Sequence, residues 1–208
     1  MELAIYNIQG KETGKKASLN NDVFAIEPND HAIYLDVKQH LANARQGTHK
    51  AKERNEVHGS TRKLHKQKGT GGSRKGSIKN PLYRGGGRVF GPEPRDYTFK
   101  LNKKLKKLAR KSALAYKAKE GQITILDTLT LEAPKTKEFL SMLKNFGADS
   151  KKTLVVIPDA SKNIYLSSRN ISTTNVIVAS ELNTYEVMDA EKLFIVEASI
   201  NTIETILS

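Results

Sequence analysis

Between Arg45 and Lys111 stand 21 Lys and Arg residues against four carboxylates, those of Glu53, Glu56, Glu93 and Asp96. So many fixed cations have one evident chemistry, the neutralisation of a polyanion. Lys offers a compact ammonium, and Arg offers a planar fork that fits phosphate oxygens two at a time. Each phosphate so neutralised releases condensed counterions. The candidate contacts are Arg45, Lys50, Lys52, Arg54, Arg62, Lys63, Lys66, Lys68, Arg74, Lys75, Lys79, Arg84, Arg88 and Arg95. Lys103, Lys104, Lys107, Arg110 and Lys111 follow them. Ten of the chain's 14 glycines share the window. Gly69, Gly71, Gly72 and Gly76, then Gly85-Gly86-Gly87, let a backbone approach its ligand closely and take φ > 0. A merely repulsive basic tail would not need them. Tyr83, Phe90 and Tyr97 are candidates to stack on bases or sugars, and the alternative for Tyr83 and Phe90 is to anchor the stem of the segment.

Other chemistries find little support. A phosphate-cradling P-loop needs Gly-x4-Gly-Lys-Ser/Thr. Gly71 and Gly76 have the glycine spacing, but Ser77 stands where the lysine must be. A dinucleotide fingerprint begun by Gly69 and Gly71 fails at Arg74, the third glycine position. His49, His58 and His65 lack Cys or paired carboxylates to complete a metal site. No Ser/His/Asp set emerges, and Glu53 and Glu56 read as partners for Arg54 and Lys52. The expectation is a chain without catalysis, cofactor or metal.

The polyanion could be nucleic acid or an anionic membrane. Polybasic membrane anchors pair charge with apolar residues or lipid, and this segment has few apolar residues and no lipidation motif. The densest apolar run, residues 154–157, is too short to span a bilayer. Met1-Glu2-Leu3-Ala4-Ile5 places an acid where a signal peptide wants a base. The absence of cysteine suits a reducing compartment. These readings point to a cytoplasmic protein whose partner is nucleic acid.

The elements that position the basic segment lie outside it. The rest of the chain carries 14 basic and 18 acidic residues, an ordinary, mildly acidic composition. Residues 2–8 alternate as a strand. Asp30 can cap a helix whose apolar face is Ile33, Val37, Leu41 and Ala44. Four β-branched runs follow the basic window, at Ile123–Leu126, 154–157, 176–179 and 193–196. Helical stretches separate or follow them, at 135–146 with a stop at Gly147, 161–166, 184–190 and 199–207. Short apolar strands alternating with helices argue for one three-layer α/β/α domain with a mostly parallel sheet of four or five strands. Residues 46–100 interrupt that domain as a long extended basic loop without periodicity, too apolar-poor to order on its own. At its distal end Asn102 caps a helix. Leu101, Leu105, Leu108, Ser112, Ala115 and Tyr116 fall on its inner side, and its lysines and Arg110 on its outer side.

The ordered series of short motifs resembles the bacterial large-subunit ribosomal protein L-four family. It runs Ala44-Arg45-Gln46-Gly47-Thr48, Glu56-Val57-His58-Gly59-Ser60, Gln67-Lys68-Gly69-Thr70-Gly71, Gly76-Ser77-Ile78-Lys79-Asn80-Pro81, Arg84-Gly85-Gly86-Gly87 and Lys100-Leu101-Asn102-Lys103-Lys104. Glu132-Ala133-Pro134-Lys135-Thr136-Lys137 adds a further match. The resemblance implies a structural constituent of the large ribosomal subunit, without enzymatic activity. It implies large-subunit ribosomal RNA as the partner from early assembly, with other large-subunit proteins beside it and the chain a monomer within the ribosome. It further implies a loop threaded through that RNA to the wall of the nascent-peptide exit tunnel. Carried over by match, the tip that meets the nascent chain is Lys66, Gln67, Lys68, Gly69, Thr70 and Gly71. Here Leu64-His65-Lys66 replaces the family's frequent Pro-Trp-Arg. The alternative is an RNA chaperone or translational regulator acting outside the ribosome.

Overall fold

Six strands form one sheet: β1 (Glu2–Tyr6), β2 (Glu12–Ser18), β3 (Ile123–Leu126), β4 (Thr153–Ile157), β5 (Thr174–Val178) and β6 (Lys192–Val196). Their spatial order is β2-β1-β3-β6-β4-β5. Only β1 and β2 run antiparallel, and every other pairing is parallel. The computed structural model describes all 208 residues, Met1–Ser208. The chain divides into two compact units: Met1–Leu41 with Lys100–Ser208, which holds the sheet, and Ala42–Phe99.

Helices cover both faces of the sheet, as a parallel sheet requires. They are α1 (Asn21–Phe24), α2 (Asp30–Asn43), α3 (Lys103–Lys119), α4 (Thr136–Asn145), α5 (Lys162–Ser168), α6 (Thr184–Asp189) and α7 (Glu197–Leu207). Alternation along the strands sorts side chains between two cores. Ile5, Ile125, Leu154, Val156, Leu193 and Ile195 join α1, α3, α6 and α7 on one side. Leu126, Val155, Ile157, Phe194 and Val196 join α4 and α5 on the other. All five residues of β4 are buried in consequence.

The sheet has six strands where four or five are legible, because Glu12–Ser18 adds an edge. That strand buries only Ala17, so it lacks the apolar alternation that marks a half-buried strand. The helix ends are closer to expectation. Gly147, at φ +58, follows α4, and the amides of Gly147 and Ala148 bond the carbonyls of Lys144 and Leu143. This is a Schellman closure of the free carbonyls.

α2 departs in two respects. Its cap is Asn29, whose Oδ1 accepts from the Ala32 amide at 3.0 Å. Asp30 stands in the first turn and instead accepts from the Tyr116 hydroxyl at 2.5 Å, which raises that phenol's pKa. Its buried side is Ala32, Ile33, Asp36 and Gln39, while Leu41 is half exposed and Ala44 open. The rotation is set by a buried bond from the Thr184 hydroxyl to the Asp36 carboxylate, which ties α2 to α6. Thr184→Val should therefore cost about 1–3 kcal/mol by leaving Asp36 without its donor. Thr184→Ser should cost well under half of that. Urea unfolding of the two variants decides it, and equal losses would sink the assignment.

α3 also turns a different side inward. Its buried residues are Ala109, Ser112, Ala113, Leu114, Ala115, Lys117 and Ala118, and Leu108 is exposed. Alanine and serine let neighbouring helices approach α3 closely, which the longer leucines of its first half would prevent. The buried Lys117 stem ends in a bond from Nζ to Gln122 Oε1 at 2.8 Å.

Candidate nucleic-acid interface

Beyond Ala42 and Asn43, which end α2, the unit Ala42–Phe99 contains neither helix nor strand. Its two arms are nonetheless joined by hydrogen bonds in nested order. At the base, the Phe99 amide donates to Asn43 Oδ1 at 3.3 Å, and the Arg95 amide donates to the Gly47 carbonyl at 3.2 Å. Further out, the Ala51 amide donates to Pro92 O at 3.0 Å, and the Arg88 amide to Lys52 O at 2.9 Å. Ser77 Oγ then donates to Ser60 O at 2.9 Å. The Leu64 amide closes the tip on Gly76 O at 3.1 Å. Beyond the first two rungs the offset between partners shifts, so no regular ladder forms. Only Ser77 and Gly87 are buried in the whole unit. Hydrogen bonds and close backbone contacts supply what an apolar core cannot.

The glycines divide into two groups. A Cβ on Gly86 would lie 2.0 Å from the Asn80 carbonyl oxygen, and one on Gly87 would lie 2.3 Å from the Arg54 amide nitrogen. These two serve contact of the loop with itself. Around Gly69, Gly71, Gly72 and Gly76 a Cβ would meet nothing within 4 Å. Gly69 and Gly71 still take φ of +82 and +65.

The cations also divide. Lys50 forms an ion pair with Glu56, so Glu56 serves Lys50 rather than Lys52. Lys63 bonds the Gln67 side chain. Lys75 lies 5.8 Å from the Tyr83 ring centre, while Arg45 and Arg95 lie 3.9 and 4.4 Å from that of Tyr97. Lys52, Arg54, Arg62, Lys66, Lys68, Arg74, Arg84 and Arg88 are exposed, as is every residue from Thr61 to Arg74. Lys79 is half-buried. Tyr97 is thus a stem anchor, Tyr83 is half-buried, and Phe90 is 97% exposed.

On α3, Lys103 and Lys104 are exposed and Lys111 is half-buried. Two residues expected on the outer side are turned toward their own unit. Lys107 Nζ donates to the Ser208 carbonyl at 2.8 Å. Arg110 lies among Ala179, Leu182 and Ile203, its Nε enclosed without a hydrogen-bond partner.

The Lys50–Glu56 pair gives a pH prediction. Bonding to Lys50 holds Glu56 below the ordinary carboxylate range, and bonding to Glu56 raises Lys50. A depressed carboxylate stabilises above its unfolded pKa and loses that contribution as pH falls through the folded one. A raised lysine loses its contribution at the alkaline end. The pair should therefore hold across neutral pH and fail on acidification. Carboxyl chemical shifts through an acid titration would follow it, and an ordinary midpoint for Glu56 would refute the pair.

No helix is long and apolar enough to cross a membrane, and no three His, Cys, Asp or Glu side chains cluster to hold a metal. Residues 17–206 match the family model described as the Ribosomal protein L4/L1 family. A protein of Phocaeicola vulgatus named large ribosomal subunit protein uL4 is 61% identical over 208 residues, all of both chains. Its namesake in Christiangramia forsetii is 60% identical, again over the whole of both chains. That of Parabacteroides distasonis is 60% identical over 204 residues, 98% of each.

Proposed function

Since the chain belongs to the ribosomal protein L4/L1 family, we propose that it is a structural, non-enzymatic constituent of the large ribosomal subunit in the cytoplasm. The sheet unit anchors. The loop unit binds large-subunit ribosomal RNA early in assembly, threads between its helices, and sets the apex around Lys66–Gly71 at the wall of the nascent-peptide exit tunnel. Other large-subunit proteins are its neighbours, and the chain enters as a monomer.

The observation that carries this reading is the apex itself. Residues 61–74 are all exposed, and they present Arg62, Lys63, Lys66, Lys68 and Arg74 without one carboxylate among them. Gly69 and Gly71 hold left-handed backbone conformations with open space where a Cβ would stand. Such a surface gains its free energy by displacing counterions from phosphates. Its bare backbone lets RNA come within contact distance.

Sedimentation of lysate through sucrose at moderate and high salt tests the reading. Surface contacts are stripped by salt, whereas a loop enclosed by folded RNA is held sterically. The protein should stay in the large-subunit peak through a high-salt wash. Release at modest salt would favour a peripheral RNA chaperone or regulator. Gly71→Val should lower incorporation several-fold while leaving the melting temperature of the free chain nearly unchanged. Unaltered incorporation and tunnel-wall structure would remove Gly71 from the tip.

A further inference from the structure

The geometry points to a nucleotide pocket at the base of the loop that takes one unstacked RNA nucleotide whose base carries an exocyclic amine. Its phosphate rests on Arg45 and Arg95, and its base enters the cavity between Tyr97 and Glu93. This inference deepens the RNA-binding reading above and rests on it.

The cavity measures about 610 Å3, and His49, Pro92, Glu93, Pro94, Arg95 and Tyr97 line most of it. That volume falls within the range of about 300–1,000 Å3 usual for small-ligand sites. Its walls are preformed. His49 Nε2 bonds the Tyr97 hydroxyl at 2.7 Å, and the two rings meet edge to face at 5.8 Å between centres. Gly47 packs so closely that a Cβ there would lie 3.1 Å from two Tyr97 ring carbons and 2.0 Å from the Arg95 carbonyl oxygen. A nucleotide therefore meets a wall of His49 and Tyr97 that is already fixed, with little ordering left to oppose binding.

The charges assign the two ends of the ligand. The guanidiniums of Arg45 and Arg95 both lie over the Tyr97 ring. They are separated by no more than the sum of their distances from its centre, and neither forms an ion pair. Two cations whose shared neighbour is one aromatic ring, with no carboxylate paired to either, leave a concentrated positive field. Guanidinium forks match phosphate oxygens. The lone carboxylate in the cavity, Glu93, forms no ion pair either. A carboxylate only accepts hydrogen bonds, so it favours a base that donates an amine, as acidic side chains do with cytosine. Adenine, cytosine and guanine carry such an amine, and uracil does not. Arg95, Pro92 and Pro94 are thereby given a purpose that general charge neutralisation does not require.

The test uses the full chain and fluorescein-labelled single-stranded RNA decamers of A, C or U, at salt high enough to suppress non-specific binding. The A and C decamers should bind about tenfold more tightly than U, in keeping with one base contact. Glu93→Ala, at an exposed position, should bring the ratio of A or C affinity to U affinity close to one, although loss of the negative charge raises binding of all three. Photo-cross-linking of the wild-type chain to the A decamer should label His49 or Tyr97. Tight binding of all three decamers without preference, a gap that survives Glu93→Ala, or cross-links only outside residues 45–49 and 91–97 would each overturn the pocket while RNA binding stood. Failure to bind any decamer and failure to bind large-subunit RNA would overturn the RNA-binding reading with it.

Discussion

Gly47→Ala should open the loop unit at its base. The residue sits at φ +67, a conformation that costs an L-residue about 1–2 kcal/mol. The added methyl would also lie 2.0 Å from the Arg95 carbonyl oxygen, a backbone atom that no rotamer change can move aside. The Arg95 amide bond to Gly47 O is the rung beside that collision, so relief of the clash breaks it. Arg95 then leaves Tyr97. The variant should lose most hydrogen-exchange protection at the Arg95 amide, and trypsin should cut after Arg95 about tenfold faster. Gly72→Ala makes the control, because a Cβ there meets nothing within 4 Å and the backbone needs no left-handed angle. If Arg95 stays protected in the Gly47 variant, the base of the loop is not held as described.

The second large effect lies in the sheet. Phe194 is wholly buried on β6, between β3 and β4, with the Phe146 ring edge-on at 5.2 Å. Phe194→Ala removes an aromatic side chain from a site enclosed by Val155, Met142 and Leu143 of the same core. Such truncations cost about 3–5 kcal/mol, since the cavity does not fully collapse. For a chain of this size each kcal/mol lowers the melting temperature by about 2–4 °C, which predicts a fall of about 6–20 °C by calorimetry. A loss below about 1 kcal/mol would mean that β6 is not at the centre of the packing. Phe194→Leu, closer in volume, should recover more than half of the difference.

What the sequence disclosed follows from where its periodicity is strong. β3, β4, β5 and β6 are short β-branched runs whose type survives any choice of neighbours, and all four stand within two residues of their expected places. β2 was invisible because an edge strand with one covered residue carries no pattern. The helix faces were legible only where apolar residues decided them. In α2 a polar pair, Asp36 with Thr184, set the rotation, and hydrophobic spacing is blind to a bond between residues 148 positions apart. In α3 the packing runs through alanines, whose small size gives them no weight in an apolar stripe. The basic loop showed its charge and its lack of periodicity at once. Its internal bonding stayed hidden because rungs of changing offset leave no repeat. The glycines held the missing signal. A run such as Gly85-Gly86-Gly87 can serve a partner's backbone or the chain's own, and only the distances to Asn80 and Arg54 separate the two.

β2 has a consequence for the chain before it meets any partner. A sheet's last strand exposes unpaired amides and carbonyls that can recruit another copy of the protein. Here that strand carries Lys15 and Lys16 with their side chains about two-thirds exposed. It is interrupted by Gly14 at φ +74, and its register with β1 slips between Ala4 and Tyr6. Charge, a left-handed residue and a bulge each spoil a template for intermolecular pairing. The weak hydrophobic pattern that hid the strand in the sequence is therefore a safeguard against aggregation, most valuable while newly made chains await their place in an assembly.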